Sequence, residues 1–334
     1  MVLEIPTYQD VTAARQRLLG HANITPLVRH NRLDEISGVN LYLKNETVQK
    51  SGAFKYRGAY SRLSLLSESE RKGGVVAFSS GNHAQGIAIA AKELGIAATI
   101  IMPSTAPLKK KQGTLSHGAK IIEYDPSTTD RAELAANIAK QSNAILVPPF
   151  DDRFVIAGQG TCAVELLEQC AELGVKLDAL ITPVGGGGLC AGINLAFEQL
   201  SPHTKIYGGE PVNYDDHAKS LRAGKRITNT LAPLSLCDAL MSPAPGEITF
   251  AINRRLLSGI FPMTDEECLR AMVLAKETLD ITLEPGGAIA LAAALSRPKQ
   301  LSAGSNVCVV LSGGNVDDQV LKTAEQFSAT LPYP

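Results

Sequence analysis

The stretch 74–103, "GVVAFSSGNHAQGIAIAAKELGIAATIIMP", decides the fold. Its opening, "GVVAFSS", is a short unbroken run of apolar and small residues, the signature of a strand buried on both faces. "GIAIAAKELG" continues at helical spacing and stops at Gly95, a residue that closes helices without steric penalty. "ATIIMP" then begins a second buried run. A strand, a helix and a strand in succession require a parallel pair joined by a crossover. Working outward, the alternation continues through a helix near 107–117, "AKIIEY", a helix over 131–141, and "AILVPPF". Four strands with three helices between them predict one parallel sheet over about residues 73–150.

A second set follows. "LDALITPVGGGG" is a strand entering a glycine loop, "LCAGINLAFEQL" the helix after it, and "KIYGGEPV" and "NVCVVLSGGN" are further strands. Long helices are expected over 248–257 and 266–279. The early strand "NLYLKNE" finds no partner in the first set and is assigned to this second sheet. The expectation is an α/β chain of two lobes with largely parallel sheets. Residues 1–67 and 151–334 form a discontinuous large domain, and 73–150 form a small one.

Composition excludes several function classes. The 334 residues exceed one ordinary core, and 45% apolar with 19% charged is an ordinary globular balance. A net charge of −1 argues against a nucleic-acid surface. The one basic triplet, Lys109-Lys110-Lys111, reads as the solvated end of a helix. No apolar run reaches the roughly 18 residues of a membrane span, and "MVLEIPTYQD" lacks the features of a signal peptide, so a cytoplasmic location is expected. Six cysteines (162, 170, 190, 237, 268 and 308) contain no C-x-x-C pair and read as reduced core thiols.

Three glycine-bearing loops follow strands: "SSGNHAQG" (79–86), "VGGGGLCAG" (184–192) and "LSGGN" (311–315). Glycine lets backbone N–H groups converge on an anion, and a following helix adds its dipole. Gly185 to Gly188, running into a helix at Leu189, is read as a phosphate cradle rather than a mere tight turn, which needs fewer glycines. No Gly-Lys-Ser/Thr follows, so the Walker pattern fails. Gly186, Gly188 and Ala191 match the dinucleotide fingerprint G-x-G-x-x-A, with Glu210 as a ribose-binding acid. That reading leaves Lys55, in "SGAFKYRGAY" (51–60), without a role. A lysine held inward together with a phosphate cradle suggests pyridoxal phosphate, whose aldehyde bonds a lysine amine.

The motifs "SGAFKYRGA", "SSGNHAQG", "VIAGQGT", "VGGGGLCAG", "EPVNYDD" and "LSGGNVD" then make the chain resemble the fold-type II pyridoxal-phosphate enzymes, the fold of the tryptophan synthase β chain, and within them the serine/threonine dehydratases and serine racemase. The resemblance runs from "TPL" at Thr25 to Asp317. It implies that Lys55 is the Schiff-base lysine, in preference to Lys44 and Lys50, which lack the F-K-x-R-G context. It further implies that Phe54 flanks the cofactor, that Asn82 binds the ring hydroxyl, that Gly185, Gly186, Gly187, Gly188 and Leu189 hold the phosphate, and that Ser312 faces the pyridine nitrogen. The loop Ser79, Ser80, Gly81, Asn82 and His83 would bind the substrate carboxylate, with Ser80 matching the racemase's second acid/base. His83 itself reads as a packing residue rather than a catalytic one. The resemblance also implies a mobile small domain and a homodimer.

The resemblance implies β-elimination from L-threonine or L-serine to a 2-oxo acid and ammonia. Alternatives on the same scaffold are a 3-hydroxyaspartate ammonia-lyase and a serine or aspartate racemase; outside it stand a nicotinamide-dependent dehydrogenase and a non-catalytic binding protein. Three stretches depart from the pattern: Phe150 in "PPFDDRF", Gly286 in "LEPGGA", and "CDALMSPAPGE". A hydroxyaspartate substrate needs a cation for its second carboxylate, and Arg131, Arg153 and His217 are candidates. Glu210 and Asp216, with the carbonyl of Tyr214 between them, suit a hard divalent cation, Mg2+ or else Ca2+ or Mn2+, and they match the acids of a cation site in the resembling family.

Overall fold

Among the described residues ten strands divide between two sheets, and the division follows the sequence in blocks. The computed structural model describes residues 3–106, 108–229 and 233–328. The strands are β1 (Leu27–Arg29), β2 (Asn40–Asn45), β3 (Val75–Phe78), β4 (Ala98–Pro103), β5 (Lys120–Tyr124), β6 (Ile145–Leu146), β7 (Ala179–Pro183), β8 (Lys205–Pro211), β9 (Leu257–Met263) and β10 (Asn306–Leu311). The smaller sheet has the order β5-β4-β3-β6 and is parallel throughout, as the 74–103 stretch requires. The larger has the order β1-β2-β10-β7-β8-β9, with only the β1–β2 pair antiparallel. The α/β expectation of two largely parallel sheets is met, and "NLYLKNE" joins β10 as assigned.

Some elements depart from the reading. The helix expected over 248–257 is Glu247–Leu256, and the chain then enters β9 directly. That strand, "LSGIFPM", carries Gly259 and Pro262, which disguise it; it survives because it is the sheet's edge, where a proline's missing N–H leaves no bond unmade. The helix expected over 266–279 is Asp265–Leu279, opened by Thr264 and Glu267 in a reciprocal cap. The helix expected from Pro107 is Leu108–Ser116; Pro107 and the side chain of Lys109 lie outside the described residues. Lys110 is not solvated: its side chain is 12% exposed and pairs with Asp238 at 2.7 Å. All six cysteines are buried and free, as expected. Among the described residues no helix is long and apolar enough to cross a membrane.

The helix Lys55–Leu63 packs against both Asn82–Leu94, which lies on β3 and β4 of the smaller sheet, and Arg153–Glu172. Its approach to the second helix depends on glycine. A Cβ on Gly58 would lie 2.2 Å from Gln159 Nε2, and one on Gly158 would lie 2.6 Å from the Arg57 carbonyl oxygen. Beneath this contact Arg57 donates to Glu46 through Nε at 2.8 Å and to Glu165 through Nη1 at 3.1 Å, while Lys44 Nζ reaches Glu165 at 2.6 Å. The four buried charges balance, two of each sign, and each finds an oppositely charged partner, which is the condition for burying charge at all. This network bolts the helix that begins with Lys55 to β2 and to Arg153–Glu172.

Candidate active site

The strand ends of both sheets meet at one cleft. Its walls come from Phe78 to His83 after β3, Gly185 to Leu189 after β7, Ser312 after β10, the 238–242 segment, and Lys55. Parallel sheets place ligands at the carboxyl ends of their strands.

Lys55 is the first residue of its helix and points into this cleft. Its Nζ donates to the Pro149 carbonyl at 2.8 Å and lies 5.1 Å from the centroid of the Phe54 ring. Burial lowers its pKa to about 8, against a partly opposing pull from Glu284. The competing lysines are engaged elsewhere, Lys44 in the buried network and Lys50 with Glu93 at 2.7 Å.

The four-glycine loop is a cradle that side chains would fill. A Cβ on Gly186 would sit 2.3 Å from the Phe150 ring, and one on Gly187, at φ 93°, would sit 2.6 Å from His217 Nε2. The loop's carbonyls are engaged: Thr249 Oγ1 donates to Gly186 at 2.7 Å and the Ala191 N–H to Gly187 at 2.8 Å. The first N–H groups of the helix Gly188–Leu200 have no intrahelical acceptor, which leaves them for an anion. Pyridoxal phosphate therefore fits the residues present: an amine of lowered pKa, a bare-backbone phosphate cradle, and the hydroxyl-bearing Ser312 share one cleft. Phe150, a departure in the sequence, packs against the cradle.

The loop before the helix Asn82–Leu94 brings Ser79, Ser80, Gly81, Asn82 and His83 together in the cleft wall. Ser79 Oγ accepts from the Gly81 N–H at 3.1 Å, holding the turn. Asn82 donates to Glu284 at 2.5 Å and accepts from Asn315 Nδ2 at 2.7 Å, so its amide orientation is fixed. His83 is buried, its Nε2 3.1 Å from the Val147 carbonyl, and burial with the Lys55 charge pushes it down to about 3, so it stays neutral.

Glu284 was not singled out by sequence. Burial, reinforced by Asp238, raises its pKa to about 7 against opposing contributions from Asn82, Lys110 and Lys55. Its signal in the sequence is the Glu-Pro pair at a helix start, which marks a cap as readily as a site. Lys110 and Asn315 were also missed, since nothing local announces that they face the cleft.

Of the three cations considered for a second carboxylate, the structure brings only Arg131 into the cleft. Its guanidinium lies 5.7 Å from the Phe78 ring centroid, with no carboxylate partner among the described residues. Arg153 pairs with Glu4 and Asp10. His217 is buried behind the glycine loop. There it adjoins Glu210 and Asp216, whose ligand atoms and its own lie within 4.8 Å of one another. Glu210 accepts from the His217 and Ala218 N–H groups at 3.0 and 2.9 Å and is fully buried, which removes it as a ribose-binding acid. Burial would lower the His217 pKa, but the neighbouring carboxylates of Asp216 and Glu210 carry it up to about 9. Tyr214 lies on the half-buried turn before Asp216, its N–H bonded to the Pro211 carbonyl at 3.0 Å.

Comparison with known proteins agrees with this geometry. A family profile described as pyridoxal-phosphate dependent enzyme matches residues 18–313. The chain is 42% identical over 313 residues to the L-threo-3-hydroxyaspartate ammonia-lyase of Saccharomyces cerevisiae, covering 94% of each. It is 39% identical over 315 residues to the serine racemase of Schizosaccharomyces pombe, covering 94% of this chain and 96% of that one. The structure of maize serine racemase matches with a TM-score of 0.90 at 34% identity, covering 98% of each chain.

Proposed function

The chain belongs to the pyridoxal-phosphate dependent enzyme family, and on that premise we propose that it is an ammonia-lyase releasing a 2-oxo acid and ammonia from a small β-hydroxy amino acid, with 3-hydroxyaspartate as the preferred substrate. Arg131 carries the choice of substrate. It stands in the cleft wall without a carboxylate partner among the described residues, where a substrate's second carboxylate would complete it. The sequence reading favoured L-threonine or L-serine, neither of which has a use for that cation.

When bound, pyridoxal phosphate supplies an electron sink that acidifies the substrate's Cα–H. In this reading Lys55 holds its aldehyde, Gly185 to Gly188 and Leu189 its phosphate, Asn82 its ring hydroxyl, Ser312 its ring nitrogen, and Phe54 one ring face. Lys55 then serves as general base toward the Cα proton. At a pKa of about 8, about a tenth of its amine is neutral at pH 7. The loop Ser79 to His83 binds the α-carboxylate at a helix N-terminus, and Ser80 is the second acid/base. The hydroxyl of Ser312 is a weaker proton donor than a carboxylic acid, which favours prompt loss of the β-hydroxyl over exchange chemistry.

Glu210, the Tyr214 carbonyl and Asp216 are proposed to hold a divalent cation away from the cleft. The small domain, 73–150, is proposed to move relative to 1–67 and 151–334, and the assembly to be a homodimer. The test is 2-oxo acid release from L-serine, L-threonine and the 3-hydroxyaspartate stereoisomers by wild type and Arg131→Ala. Preference for hydroxyaspartate that disappears in the variant supports the reading; better turnover of serine or threonine by wild type overturns the substrate choice and restores the dehydratase alternative.

A further inference from the structure

Three buried side-chain atoms without a hydrogen-bond partner lie in linked residues behind the glycine loop: Asp216 Oδ2, His217 Nδ1 and Asn194 Oδ1. A buried polar atom left unpaired is costly and rare, so the two that face each other beside Glu210, Asp216 Oδ2 and His217 Nδ1, point to a missing ligand. The residues are at most 1% exposed. His217 Nδ1 lies 3.5 Å from Glu210 Oε1 and 3.7 Å from Asp216 Oδ2, too far for good hydrogen bonds. The spacing is close to that of neighbouring donors around one ion with ligand distances of about 2.1 Å, which stand about 3.0–3.5 Å apart.

We infer that His217 is a ligand of the cation site through Nδ1, and that it turns a site of oxygen donors into one selective for a transition-metal ion such as Mn2+ over Mg2+ or Ca2+. The inference rests on the proposed cation site at Glu210 and Asp216. Oxygen donors alone suit Mg2+ and Ca2+; an imidazole nitrogen moves the preference along the first-row series.

The surroundings accommodate ligation. An imidazole bound through Nδ1 carries its proton on Nε2. Nε2 is 3.3 Å from Asn253 Nδ2, while Asn253 Oδ1 accepts from Asn194 Nδ2 at 3.0 Å. Turning both amides by a half-turn lets Asn253 Oδ1 accept from Nε2–H and Asn253 Nδ2 donate to Asn194 Oδ1. One ion thereby satisfies Asp216 Oδ2 and His217 Nδ1 directly, while the turned Asn194 sets its Nδ2 where Oδ1 stood and that position stays outside the relay. The turn exchanges the 3.3 Å contact of Asn253 Nδ2 with the Gly187 carbonyl for the bond from His217, so Asn253 lies between the cation site and the glycine loop.

The test uses the cofactor-loaded protein stripped of metal, with Mn2+ and Mg2+ as probes, read by equilibrium binding and by pulsed electron paramagnetic resonance of bound Mn2+. Wild type is expected to bind one Mn2+ per chain about tenfold or more tighter than Mg2+, with nitrogen coupling in the spectrum. His217→Gln is expected to lose the coupling and about tenfold in Mn2+ affinity, while Mg2+ affinity changes less than about threefold. Bound Mn2+ without nitrogen coupling, equal affinities for the two ions, or no binding to wild type each overturns the inference. Should His217→Gln fail to fold, the wild-type coupling still decides. Because binding is read directly, failure here leaves the lyase reading standing, and an inactive protein that binds Mn2+ through nitrogen sinks only the lyase reading.

Discussion

The ammonium of Lys55 donates to the carbonyl oxygen of Pro149 at 2.8 Å, which ties the first residue of a helix to the segment that leaves β6. The bond aims a cation of lowered pKa into the cleft before any ligand arrives. Lys55→Ala should lower 2-oxo acid release by about a thousandfold or more. Residual activity within tenfold of wild type, in a variant of normal fold by circular dichroism, would remove Lys55 from its assigned role.

Arg131 should discriminate between substrates. Replacing it with alanine should lower kcat/KM for 3-hydroxyaspartate by about 10–100-fold, the worth of a charge-assisted hydrogen bond, and change that for L-serine by less than about threefold. Arg131→Lys should recover only part of the loss, because an ammonium cannot present the planar fork of a guanidinium. Steady-state kinetics on the two substrates decides it.

Glu284 makes stability depend on pH. Its carboxyl, ordinarily near 4.5, is held up to about 7 in the fold. The folded chain therefore keeps a proton that the unfolded chain has lost. Its contribution is complete below about 4.5 and is lost as pH rises through about 7. The loss is on the order of 3 kcal/mol. Glu284→Gln has no such proton to lose, so the Tm of the cofactor-free variant minus that of wild type should rise between pH 5 and pH 7. A difference that is flat with pH would show that Glu284 is ionised throughout. Lys55, held down to about 8, acts in the opposite sense and at higher pH, adding stability as pH rises from about 8 to about 10.5.

Gly187→Ala should cost cofactor affinity. The position combines a φ of 93° with a Cβ site 2.6 Å from His217 Nε2 and 2.8 Å from Asn253 Nδ2. The backbone conformation alone costs about 1–3 kcal/mol for a residue with a side chain, so pyridoxal-phosphate affinity should fall by about tenfold or more, read by absorbance titration. Gly224, also at positive φ but with open space around its Cβ site, is the control, since its replacement should leave that affinity unchanged.

Glu165→Gln breaks the buried network, leaving Arg57 and Lys44 short of an anion. Uncompensated buried charge costs about 3–5 kcal/mol, which denaturant unfolding would detect as a lower midpoint. A variant as stable as wild type would mean that Glu46 alone neutralises both cations.

The sequence by itself determined the elements whose physics is local. Unbroken apolar runs between glycines define strands buried on both faces, so the 74–103 stretch fixed a parallel sheet, and four consecutive glycines before Leu189 announced a cradle that only backbone could line. Tertiary structure alone decided what depends on distant partners. Lys110 carries three adjacent lysines' worth of surface signal yet is half-buried and paired with Asp238, 128 residues away. Glu284 owes its raised pKa to burial and to Asp238, and its place in the cleft to the course of several strands. Arg131, Arg153 and His217 were equivalent as letters, and only the packing of one helix cap beside Phe78 sorted one into the cleft, one into surface ion pairs and one behind the glycine loop. Periodicity and backbone freedom act over a few residues and are written in order along the chain; desolvation and charge pairing act across space, and come into being only once the chain has folded.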